Sequence, residues 1–156
     1  MSGNNMIKEY SRIEVAISNL DEAIRMYFKV KNDIEFFPVI ILAGACEEVL
    51  GKIYERSRKD SVHKIMKKEY SKEVGKTEKE VNEEHTNRIK NWLKHADDQD
   101  KDKIKINVEV EVVQYILRGI GNYHLLFNNL KEEHKHFLKE IDKKFPKAFE
   151  GLNPIN

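Results

Sequence analysis

The segment PVIILAGACEEVLGKIYERSRK, residues 38–59, constrains the fold more than any other part of this chain. Its first half is apolar on every side of a helical wheel, so a helix there must be central and enclosed by other elements. Pro38 suits the first turn of such a helix. Leu42, Cys46, Val49, Leu50 and Ile53 share one face, and Gly44, Glu48, Gly51 and Glu55 lie opposite. The glycines let a second helix approach closely, with Glu48 between them. An unpaired buried carboxylate is too costly, so Glu48 is expected to be partly buried as a structural polar partner. Arg88, His95 and Tyr123 are the expected counterparts.

The flanking segments supply the enclosure. Ile13, Ile17, Leu20, Ile24 and Phe28 form one apolar helical stripe, and Ser11 with Glu14 fits a capping box. Val62, Ile65, Met66, Tyr70 and Val74 describe a shorter amphipathic helix that Gly75 should stop. Thr77 and Glu80 form a second capping box, and a helix is expected to continue from there through Val81, Ile89, Trp92, Leu93 and Ala96, the last four anchoring it in the core. Val108, Val110 and Val112 alternate as in a strand, but Val113, Leu117, Ile120, His124 and Phe127 are helical. The reading is a short extended lead-in and then a helix over about 108–130. A last amphipathic helix, EEHKHFLKEIDKKF, is closed by Pro146.

Low glycine and proline content and 35% charged residues suit long helices with solvated faces. The expected architecture is an all-α bundle of five to six helices with short connections and antiparallel neighbours. No repeat or linker divides it, so 1–156 reads as one domain with a core over about 6–145 and an irregular C-terminal tail.

A net charge of +1 provides no global field for nucleic acid. Any such binding must use a local patch, and Arg56, Arg58, Lys59, Lys64, Lys67 and Lys68 supply one. The single cysteine, Cys46, sits in an apolar run and reads as a buried, inert thiol in a reducing compartment. The N-terminus has no apolar signal core, and the longest apolar run is too short to span a bilayer. A soluble cytoplasmic protein with no membrane partner is expected.

Candidate chemistry is sparse. Asp98, Asp100, Asp102 and Glu109 match ligand positions of a helix–loop–helix calcium loop. Lys103 replaces the glycine of the sharp turn and Lys105 an apolar position, so the segment reads as a solvated loop. His134 and His136 point about 200° apart on a helix and cannot share a metal. His63 and His85 fall on polar surfaces, and His124 reads as a satisfied core histidine. No metal and no cofactor are expected.

The segment NRIKNWLKH, residues 87–95, is different. Arg88, Asn91 and His95 fall on one face of a helix, with Lys94 beside them. A histidine can move protons, an arginine can neutralise phosphate, and an asparagine can orient. The plain reading is a polar helix end, where Lys94 and His95 complement the dipole.

RIKNWLKHAD, with the helix pattern around it, resembles the HEPN superfamily of small helical bundles. Its signature is an arginine, usually a polar residue after it, and a histidine four to six residues further on. NWLKHADDQD and AGACEEVLGKIY are also similar to segments of a group of uncharacterised bacterial helical proteins. Two registers fit. Arg88 and His95 enclose six residues; Lys90, Asn91 and His95 give the commoner spacing of four, with lysine in place of arginine. Lysine lacks the planar fork that grips phosphate.

The resemblance implies a homodimer with a composite site. In it His95 acts as acid or base, Arg88 or Lys90 stabilises phosphorane charge, and Asn91 orients the pair. The activity implied is metal-independent RNA cleavage, in phage defence or beside an antitoxin. Many such proteins are non-catalytic. The alternative is a helical dimerisation or interaction module, binding a protein or a nucleotide in the same groove.

Overall fold

The computed structural model describes residues 7–95 and 102–146. Among the described residues seven α-helices run in the order α1 (Arg12–Tyr27), α2 (Phe36–Glu55), α3 (Val62–Val74), α4 (Glu78–Val81), α5 (Arg88–Lys94), α6 (Val108–Phe127) and α7 (Glu132–Lys144). A short 3₁₀ turn, Asp33–Glu35, precedes α2, and a π-helical turn, Asn82–Thr86, joins α4 to α5. No strand occurs among the described residues.

The fold is therefore all-helical, with one helix more than the upper expectation. The extra helix comes from a break. The continuous helix expected through Ala96 is interrupted by the π turn and by Asn87, whose φ of −127° and ψ of 22° are not helical. α5 stops at Lys94, and Ala96 lies outside the described residues. The extended lead-in ends at Asn107, whose side chain accepts from Val110 N–H and caps α6.

Other signals map onto the helices directly. Ser11 N–H donates to Glu14, and Thr77 N–H donates to Glu80, whose own N–H donates back to the Thr77 hydroxyl. Gly75 ends α3 in the left-handed conformation, φ 66°, where its lack of a Cβ removes the steric penalty.

α2 and α6 form the central pair. Tyr115 approaches Gly44 and Asn122 approaches Gly51, so the two helices run in the same direction. That corrects the expectation of antiparallel neighbours: the connection spans α3 to α5, long enough to return the chain to the same end. Leu20 of α1 lies over Gly119, and α7 inserts Phe137 and Ile141 into the core. Leu20, Ile40, Leu50, Ile116 and Phe137 are fully buried, each worth roughly 1.5–3 kcal/mol of transfer free energy. Cys46 is buried at the same level, and burial raises its thiol pKa to about 12.

α2 is not enclosed on all sides. Ile41, Ala45, Glu48 and Lys52 form a stripe open to solvent. Its apolar first half shows a surface that other helices leave uncovered.

Candidate functional site

α5 lies across α2, and its short length gives each side chain a distinct environment. Ile89 points into the core and is fully buried. Lys90 runs along the Gly44 face of α2, its Cδ 3.2 Å from where an alanine Cβ would stand. Its ammonium donates to a Glu48 oxygen at 3.0 Å, and Lys52 donates to the other oxygen at 2.8 Å. These two bonds hold the Glu48 carboxyl down at about 2. Arg88 donates to Glu111 of α6 at 2.8 Å. Asn91 is half-buried, and Lys94 and His95 are exposed at the helix end.

The residues brought to α5 by sequence reasoning are thus close in the chain but divided in space. Both phosphate-binding candidates, Arg88 and Lys90, already hold carboxylates. Glu48 pairs with Lys90 and Lys52 rather than with Arg88, His95 or Tyr123, and its side chain is 45% exposed. The buried carboxylate is its neighbour Glu47, only 3% exposed. The two residues sit about 100° apart around the helix, and α6 meets the Glu47 side.

Glu47 belongs to a polar cluster under α3 and the π turn. Arg118 of α6, itself buried, places Nη2 3.9 Å from Glu47 and stacks on the Tyr115 ring at 4.3 Å. Its Nη1 donates to the Thr86 carbonyl at 2.7 Å. His63 puts Nε2 2.9 Å from the Thr86 hydroxyl and Nδ1 3.6 Å from Glu47. Burial raises the Glu47 pKa against the pull of Arg118. Burial, followed by the charges of Arg118, Lys67 and Lys90, lowers that of His63 to about 3.

The expectation that His63 lies on a polar surface is corrected: α3 turns it inward. His124, expected to be satisfied, has a buried Nδ1 with no hydrogen-bond partner. Arg118 went unnoticed in the sequence. Its signal was an arginine inside the apolar run YILRGIGNY, which must be paired wherever that run is buried. Arg118 and His124 also enclose five residues, within the HEPN-like spacing, but Arg118 faces the core.

The basic patch is partly neutralised. Lys64 and Lys68 both bind Asp60, at 3.0 and 2.6 Å, and the Lys59 ammonium lies over the Tyr54 ring at 6.0 Å. Arg58 takes φ 61° as the chain leaves α2, near Arg56 in sequence, and Lys67 is half-buried. Of the calcium-loop positions, Glu109 accepts from Tyr27 and Lys144, while Asp98 and Asp100 lie outside the described residues. No cluster of three metal-binding side chains occurs among the described residues. No described helix is long and apolar enough to cross a membrane.

One open groove is apolar. Trp92 and Leu93 of α5 form one wall of this groove of about 730 Å³. Phe37, Pro38, Ile41 and Leu42 of α2, with Ile34 before it, form the floor and the other wall. The Trp92 and Phe37 rings lie 6.3 Å apart. Trp92 was expected to anchor α5 in the core; only Ile89 does so fully.

Among known proteins, no family model, no curated protein and no solved structure matches this chain.

Proposed function

We propose that this chain is a HEPN-like helical interaction module that pairs with a second copy of itself through the groove between α2 and α5. The observation that supports this reading is the groove's lining, seven residues without a charge. A large apolar surface left open marks an interaction site. Ile34 and Ile41 project from it, 70% and 57% exposed, so one face offers both a ridge and a socket. A self-complementary contact about a two-fold axis needs that combination. Pairing two uncharged faces also brings no like charges together. Sedimentation of the parent should give a dimer, and Ile41→Asp should give a monomer with an unchanged helical circular-dichroism spectrum. A parent that stays monomeric at high concentration rules the reading out.

A second reading is metal-independent RNA cleavage at an interface containing His95. It is favoured by the exposed His95 on the same short helix as Trp92 and Leu93, so that a dimer over the groove carries two copies of this helix end. Against it stand the ion pairs that occupy Arg88 and Lys90. RNA incubated with the protein and a chelator tests it. His95→Ala should abolish cleavage without unfolding the chain, and Lys90→Ala against Arg88→Ala should identify the register. Absence of cleavage by the parent leaves the interaction module as the function.

A further inference from the structure

We infer that residues 78–94 form a detachable strap, closed over α2 and α6 by polar ties and able to open while those two helices stay folded. Three side chains of the strap are buried, Val81, Thr86 and Ile89, and α3 beside it contributes no fully buried residue. So little apolar burial does not hold seventeen residues as firmly as α2 and α6 hold each other.

The closure is polar instead. Arg118 donates to the Thr86 carbonyl and His63 bonds the Thr86 hydroxyl, both at the π turn. Arg88 and Lys90, further along, bind Glu111 and Glu48. All four ties reach from the strap to α2, α3 or α6, and all four act on its second half. The backbone supplies its own pivots. The π turn replaces regular α-helical bonding, and Asn87 is non-helical, so Arg88–Lys94 can move as a unit. At the other end, Gly75 provides a left-handed joint just before α4.

Trp92 and Leu93 are one wall of the apolar groove, so an open strap dismantles that face. This consequence rests on the self-association reading; the opening itself does not. The strap thereby makes the docking face conditional on polar contacts beneath the π turn.

Hydrogen exchange of the whole chain, read by peptide mass spectrometry, tests the opening. Amides of residues 82–94 should exchange at least about tenfold faster than those of α2 and α6. High salt should speed the strap by a further factor of about three, by screening the partly exposed Arg88–Glu111 and Lys90–Glu48 pairs, and leave α2 and α6 unchanged. The double variant Glu47→Gln with Arg118→Met removes both buried charges together, a change that folds tolerate. It should accelerate the strap alone. If the double variant does not fold, Glu111→Gln removes the charge from one tie and should give the same pattern more weakly. Strap amides that exchange in step with α2 and α6, in the parent and in the folded variant, overturn the inference. Dimer formation is measured separately by sedimentation, so a parent that stays monomeric while its strap exchanges fast counts against the groove reading and not against the strap.

Discussion

Lys90 and Glu48 join α5 to α2 through a 3.0 Å bond, and Lys52 reaches the same carboxylate from the next turn of α2. The carboxylate is held ionised down to about pH 2 by these two donors. The folded value lies below the ordinary one of 4.5, so the stabilisation is present above pH 4.5 and is lost as pH falls toward 2. Glu48 is nearly half exposed, so solvent screening keeps the pair below about 1 kcal/mol. Urea unfolding at pH 6 and pH 3 should show a smaller acid loss for Glu48→Gln than for the parent. Equal losses would show that Lys90 is not held by this residue.

His63 gives an acid dependence by a different route. Its folded pKa is about 3 against 6.5 unfolded, because burial disfavours the charged ring. The unfolded chain binds the extra proton, so this contribution is complete above pH 6.5 and declines as pH falls, by at most about 1.4 kcal/mol per pH unit. Glu47, whose folded pKa is raised, acts in the opposite sense beside it. His63→Gln should flatten the decline between pH 6.5 and 4.5. A parent profile already flat in that window would show that His63 titrates normally.

Asn122 is fully buried on α6 and bonds two backbones at once. Its Oδ1 accepts from Val62 N–H, and its Nδ2 donates to the Glu47 carbonyl, both at 3.0 Å. Asn122→Ala leaves two backbone groups without those partners, and each unsatisfied buried group costs about 1–3 kcal/mol. Chemical denaturation should show a loss within or above that range, and a neutral outcome would mean that α3 is not docked through this residue.

Trp92→Ala separates core from surface. A buried tryptophan would cost about 3–5 kcal/mol on truncation. Only partly buried on the groove wall, Trp92 should cost about 1–2 kcal/mol. The larger effect should fall on self-association, read by sedimentation. A full-size stability loss with unchanged association would place the ring in the core after all.

Much of the helical order was legible in the chain because its signals are local. Gly75, the two capping boxes and the stripe from Ile13 to Ile24 act within a turn or two of themselves. The contents of the candidate site were harder to read because they depend on distant partners. Glu47 and Glu48 are adjacent and chemically alike, and only the approach of Arg118, seventy-one residues beyond Glu47, decides which one turns inward. His63 is drawn in by Thr86 for the same reason. The break at Asn87 has no glycine or proline to announce it. The open side of α2 was concealed by its composition, since Ile41 looks the same in a sequence whether it meets another helix or water.

The burial of Cys46 also determines how covalent pairing of this chain should be read. Its sulfur lies inside the core, near the point where α6 passes at Gly119, and is held as the neutral thiol. A neutral, enclosed thiol neither attacks a disulfide nor meets a second thiol. A cross-linked pair that disappears on adding reductant would therefore come from chains that had opened their core, and native association must survive unchanged in the presence of reductant.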